Sequence, residues 1–206
     1  MKTIIANRRS IYPIQFSGKG LTDSQLHELF EAANWAPTHR RTEPWRFKVF
    51  RGEKKTGLGR FLVDAYTKTT PKFSKRKSQA VADKIKMSDA VVLICMKRDE
   101  KESVPEWEEI AATAMAVQNL WLSATEMGLG GYWSTPAYVN QIGDFISMEE
   151  GEICLGLFYL GAFEGSMPTR EPSDWREKVQ WYDKSISLAK GSLNLCFAIN
   201  LADKAL

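Results

Sequence analysis

At 206 residues the chain can bury one sizeable core and is short for two, and with 44% hydrophobic and 26% charged residues it sits near the averages for soluble globular proteins. No apolar run approaches the roughly 18 to 20 residues that cross a bilayer, and the opening Met1 to Tyr12 has neither an h-region of about 7 to 15 apolar residues nor a small-residue cleavage site. Neither membrane insertion nor export is expected, and a cytoplasmic location is, while the net charge of +3 is mild and owes most of its basic excess to Lys68 to Lys86.

After a short amino-terminal segment, Thr22 is placed as the N-cap of a helix, with Gln25 completing a capping box. Leu26, Leu29, Phe30 and Ala33 follow at helical spacing until Pro37 stops it. Trp45 to Phe50 alternates like a half-buried strand and ends at a turn, Arg51-Gly52-Glu53. Weaker helical signals cover about Leu58 to Thr67 and the basic stretch after Phe73. Ala90 to Met96, AVVLICM, is a continuous apolar run suited to a central strand covered on both faces. The longest helix is expected from about Glu108 to Met127, where Ile110, Ala114, Val117, Trp121 and Thr125 mark one face and Ala111, Met115 and Leu122 another. A helix apolar nearly all round belongs in the middle of something. Gly128 is its C-cap, Gly130 to Ser134 enters a strand, and Ile153 to Leu160 is the last clear strand, closed by Gly161. Separated strands and long helices without strict βαβ alternation predict an α+β layered domain. So apolar a central helix is hard to cover within this length, and a second copy of the chain is expected to cover it.

Cys95, Cys154 and Cys196 are odd in number and far apart in sequence, and the first two sit inside apolar runs. They read as buried structural thiols, with neither disulfide arithmetic nor metal-ligand spacing. His27 and His39 are the only histidines, so no metal site is expected and redox chemistry would need a borrowed cofactor. The run Lys68 to Lys86 reads as a solvated helix or mobile lid before an electrostatic guide for anions, and beyond Phe73 it lacks the interleaved aromatics of a nucleic-acid surface.

Three stretches combine polar anchors with exposed backbone. Asn7-Arg8-Arg9-Ser10 offers two guanidinium forks and a hydroxyl to a phosphate or to the carbonyl edge of a flat ring, although an arginine pair near a terminus is more often a solvated surface. The loop Ala33 to Trp45 is rich in donors and prolines and joins two rigid elements; His39 can donate to a ligand oxygen there, though a lone loop histidine is more often solvated. In Leu129 to Pro136, Gly130 and Gly131 let a flat ring approach the backbone while Trp133, Ser134 and Thr135 line it, and a plain turn with a core tryptophan would look alike.

In this order and spacing the stretches resemble the nitroreductase family, most closely its short bacterial branch of minimal FMN-dependent nitroreductases. The resemblance is carried by Arg8-Arg9-Ser10, by Ala36-Pro37 to Pro44-Trp45, by Val104-Pro105-Glu106-Trp107 leading into the central helix, and by Gly130-Gly131 to Trp133-Ser134. It covers roughly Asn7 to Glu164 and implies an α+β sandwich, an intertwined homodimer and two FMN sites between the subunits. The implied domain is residues 1–183, followed by an extension, 184–206. By the same resemblance Arg8 and Ser10 anchor the FMN phosphate or ring oxygens with Arg9 adjoining, and Trp35 and His39 meet flavin from the partner chain. Trp133, Ser134 and Thr135 supply backbone against the ring, and Arg170 is a late phosphate contact. Two departures bear on specificity at the ring edge: Trp35 stands where the branch commonly has a basic residue, and Arg41-Thr42-Glu43 where it has an asparagine or lysine region. Beyond Asp183 the pattern is lost, and the apolar Leu193 to Leu201 is expected to pack on the partner subunit or cap the flavin entrance.

The implied activity is ping-pong oxidoreduction, in which NAD(P)H gives hydride to flavin N5 and a small electrophilic acceptor, such as a nitroaromatic or quinone, takes it over the same ring. No side chain is placed like a nucleophile with its base, so no catalytic acid or base is assigned and the protein's part is positioning and hydrogen bonding. The alternatives are enone reduction or reductive dehalogenation on the same scaffold and, in a different class, a flavin-binding carrier or interaction protein without turnover.

Overall fold

The computed structural model describes residues 1–182, with a compact unit Met1–Pro168 and a second unit that begins at Thr169. The first unit is built on a four-stranded antiparallel sheet in the order β1-β2-β4-β3. Its strands are β1 (Trp45–Phe50), β2 (Ala90–Lys97), β3 (Leu129–Ser134) and β4 (Glu152–Ala162). The helices are α1 (Lys2–Asn7), α2 (Asp23–Asn34), α3 (Gly52–Thr69), α4 (Lys75–Met87) and α5 (Glu106–Glu126). This is the expected α+β architecture, and no helix among the described residues is long and apolar enough to cross a membrane. The second unit carries a short 3-10 turn at Trp175–Lys178, where the Asp174 carboxylate accepts from the Arg176 amide at 3.0 Å. The expected extension 184–206, with Cys196 and the Leu193 to Leu201 run, lies outside the described residues.

The sheet separates two cores. On one face α2 and α5 close over Val92, Ile94, Phe158 and Leu160; on the other α3 and α4 close over Val91, Leu93, Cys95, Leu157 and Tyr159. Successive side chains of a strand point to opposite faces, so an uninterrupted apolar run fills both layers at once. Strand β2 does so, each residue from Ala90 to Met96 being 0% exposed. Cys95 is buried as expected, whereas Cys154 on β4 is only half-buried and departs from that reading.

Local chemistry sets the helix ends. Thr22 Oγ1 accepts from the Gln25 amide at 3.1 Å while Gln25 Oε1 accepts from the Thr22 amide at 3.0 Å, so the capping box is present and α2 begins where expected. Helix α5 opens with Glu106, Glu108 and Glu109 in its first turn, where carboxylates complement the helix dipole. Glu109 is buried and accepts from the Arg98 guanidinium and from the Asp99 amide at 2.9 Å, which roots the helix in the core. The helix ends before Gly128, whose φ of +71° is the left-handed conformation that favours glycine.

Two expectations are corrected. Arg51-Gly52-Glu53 is no free-standing turn: Arg51 is the N-cap of α3, which starts at Gly52, ahead of the expected Leu58. Gly52 has a φ of +53°, so reversal and helix start are one event. The amino-terminal segment is helical over Lys2–Asn7, too few residues for a periodicity to announce it. The basic stretch becomes α4, solvated outside and buried through Val81 and Ile85, in keeping with the solvated-helix reading.

Among the described residues, α5 is covered along one side. Ala112, Ala116, Val117, Leu120 and Ala124 point inward, while Trp107 is 67%, Met115 40% and Ile110 37% exposed.

Candidate functional site

Within the first unit, the residues singled out from the sequence fall into two groups, one around Arg8 and β3 and one at the start of α5. The first forms where the chain leaves α1. Ser10 bridges Gly131 in parallel fashion and the Ile11 amide donates to the Gly131 carbonyl at 3.0 Å, so Arg8 to Ser10 runs beside the start of β3. Arg9 turns to the main chain: Nε donates to the Pro168 carbonyl at 2.7 Å, and Nη1 to the Ala6 and Arg8 carbonyls at 2.7 and 2.9 Å. Its planar fork is thereby largely occupied, and Arg9 acts as a strut for its neighbours. Arg8 lies over the Trp121 ring of α5, 4.5 Å from guanidinium carbon to ring centroid, a cation–π contact.

Two buried indole donors, Trp121 Nε1 and Trp133 Nε1, have no hydrogen-bond partner among the described residues. An indole N–H and a guanidinium can only donate, so Arg8 and Trp121, with the exposed Ser10 alongside, form a set suited to an oxyanion or a ring carbonyl and not to a cation. The glycines of β3 serve a different purpose from the one expected. A Cβ on Gly130 would stand 2.6 Å from Phe16 and one on Gly131 2.7 Å from Phe158, so the chain's own packing takes the space assigned to a flat ring. Further along β3, Trp133 packs on Gly156, Ser134 is half-buried, and the exposed Thr135 donates from Oγ1 to the Leu155 carbonyl at 3.5 Å.

The second group lies at the start of α5. His39 Nδ1 is 2.6 Å from Glu108 Oε2, and the two border a shallow cleft of about 270 Å³ with Pro37, Thr38, Trp107 and Met115. Trp35, at the C-cap of α2, is 81% exposed. The intervening loop holds Arg40, Arg41 and Glu43 at φ of +52°, +56° and +42°. Such non-glycine residues cost of order 1 to 3 kcal/mol each and persist only where neighbours fix them. Here Thr38 Oγ1 accepts from the Glu43 amide at 3.3 Å and Arg46 Nη1 donates to the Glu43 carbonyl at 2.9 Å. Arg170 is exposed in the second unit.

The model of the Nitroreductase family matches residues 5–162. This chain belongs to the nitroreductase family. Its relatives include the "Putative NAD(P)H nitroreductase YfhC" of Bacillus subtilis (strain 168), 31% identical over 136 residues, which are 66% of this chain and 69% of that protein. In fold it is similar to a nitroreductase-like family protein from Bacillus cereus, with a TM-score of 0.75 at 24% identity over 89% of this chain and 96% of that one. The FMN-dependent nitroreductase NfnB from Mycobacterium smegmatis, solved in complex with NADPH, gives a TM-score of 0.71 at 14% identity over 87% of this chain and 96% of its own.

Sequence reading missed two polar contacts of this candidate site. Trp121 reads only as one face of a helix, because its meeting with Arg8 depends on the long-range bridge between Ser10 and Gly131. Glu108 carried a usable signal, an acid in the first turn of α5, but nothing local ties it to His39.

Proposed function

We propose that the chain binds FMN non-covalently and carries hydride from NAD(P)H to a small electrophilic acceptor, such as a nitroaromatic or a quinone, in sites shared by two copies of the chain. The observation that carries this reading is the donor-only set of Arg8 and Trp121 beside Ser10. FMN, when bound, would supply the redox chemistry, hydride transfer through its N5. The chain's own residues bind and orient. Arg8 neutralises phosphate charge, Ser10 adds a hydroxyl, and Arg9 fixes the segment that bears both. Trp133, Ser134 and Thr135 flank the ring edge, and no acid or base is assigned.

Distance supports sharing between copies. Glu108 and Trp121 stand on one helix about 13 residues apart, roughly 20 Å at 1.5 Å per residue, beyond hydrogen-bond reach of one ring. In this reading Trp35 and His39 serve the flavin held by the partner, which a two-fold axis would bring close. The uncovered Trp107, Ile110 and Met115 are the surface such a partner would bury.

The absorption spectrum of the purified protein tests the cofactor. A yellow protein whose flavin band bleaches anaerobically with NADH or NADPH is expected. Colourless protein that also fails to bind added FMN refutes the proposal, and bound FMN without bleaching favours a carrier.

A further inference from the structure

Strands β2 and β4 bring together two thiols that the proposed flavin chemistry does not use. Cys95 and Cys154 are cross-strand partners at a bulge, where Ile94 pairs with Gly156 and Leu155 is the extra residue. Directly opposed residues of antiparallel strands share a face and hold their Cα atoms about 4.5 to 5.5 Å apart, inside the roughly 4.4 to 6.8 Å that a disulfide spans. The paired thiols bear on each other: Cys95 lowers the Cys154 thiol below its ordinary range, while Cys154 and burial raise Cys95, and Cys154 Sγ donates to the Gly156 carbonyl at 3.6 Å. The charged groups facing the pair are Glu152, which disfavours a thiolate, and Lys48, which favours one and is itself paired with Glu152 at 2.7 Å. Cys95 is fully buried, whereas Cys154 borders a cleft of about 600 Å³ with Thr135, Asn140, Met148 and Glu152. One sulfur can be reached by a small solute and the other only through the first, which is how an attacking and a resolving thiol are disposed.

From this juxtaposition we infer that Cys95 and Cys154 are a peroxide-oxidisable dithiol site that closes to a disulfide between β2 and β4. The Cys154 thiolate attacks a hydroperoxide oxygen, the O–O bond breaks, and a sulfenic acid forms as water or the corresponding alcohol leaves with a proton. The Cys95 sulfur then attacks the sulfenic sulfur; the S–S bond forms, the S–O bond breaks, and hydroxide departs with the Cys95 proton as water. Two thiols lose two electrons and one peroxide gains them, and a dithiol reductant reverses the change by exchange. The disulfide pins the bulge at Leu155, whose carbonyl accepts from Thr135, so oxidation is felt at the end of β3.

The test treats the full chain, carrying Cys196→Ser so that only the strand pair reports, with hydrogen peroxide. Free thiols are counted after denaturation and the peptides are mapped by mass spectrometry. Cys95 and Cys154 should disappear together as one linked peptide pair within a chain, and dithiothreitol should restore both. A further Cys95→Ala change should leave Cys154 as a sulfenic acid that dimedone traps. The parent's peptide map stands whether or not that variant folds. Loss of one thiol without the other, a link between chains, or two intact thiols at a peroxide level that consumes a free small-molecule thiol would each overturn the inference.

Discussion

The two layers on either side of the sheet differ in how completely they finish their own burial. Helices α3 and α4 close one face with Leu58, Leu62, Val81 and Ile85 and turn a basic exterior to water. Helix α5 covers the other face just as tightly from within, yet leaves Trp107, Ile110 and Met115 outside. A layer of the first kind is scaffold. The second leaves an apolar face that the proposed partner would bury, and Arg8 and His39 stand at its two ends.

This contrast can be sharpened from its strongest expected effect downward. Arg98→Met strips the partner from the buried Glu109 carboxylate at the root of α5, and breaking a buried pair from one side costs about 3 to 5 kcal/mol. Urea unfolding should show that loss, and a change under about 1 kcal/mol would mean that α5 is not anchored there. In the opposite layer, Leu62→Ala should cost about 2 to 5 kcal/mol in the same assay while leaving FMN binding to the remaining folded protein unchanged. If flavin affinity fell with Leu62, the separation of scaffold from site would fail. At the site itself, Arg8→Ala removes a charge-assisted contact of roughly 1.5 to 3 kcal/mol and should weaken FMN binding ten- to a hundredfold in a fluorescence titration. Unchanged affinity would remove Arg8 from the site.

The scaffold is more legible in the sequence than the site, for a physical reason. Strand β2 declares itself because burial on both faces demands an unbroken apolar run, and α2 because Thr22 and Gln25 satisfy its end locally. The apolar circumference of α5 signals an unfinished surface through residue spacing alone. What the sequence hides depends on register and long-range pairing. Arg9 reads as a second ligand arginine but bonds to carbonyls at Ala6, Arg8 and Pro168. Gly130 and Gly131 suggest an open cradle because a missing Cβ does not say what occupies its place, here Phe16 and Phe158. Cys95 and Cys154 look like separate core thiols until the β2–β4 register sets them side by side.

The central claim is that the unfinished layer is completed by a second chain that also completes the flavin site. Sedimentation velocity over a wide concentration range, with flavin absorbance followed beside protein absorbance, tests it most directly. A dimer carrying about one FMN per chain is expected, and dilution into monomers should release the flavin in step, since a ligand held by both chains is linked to their association. A stable monomer that keeps its FMN would contradict both the shared site and the explanation given for the exposed face of α5.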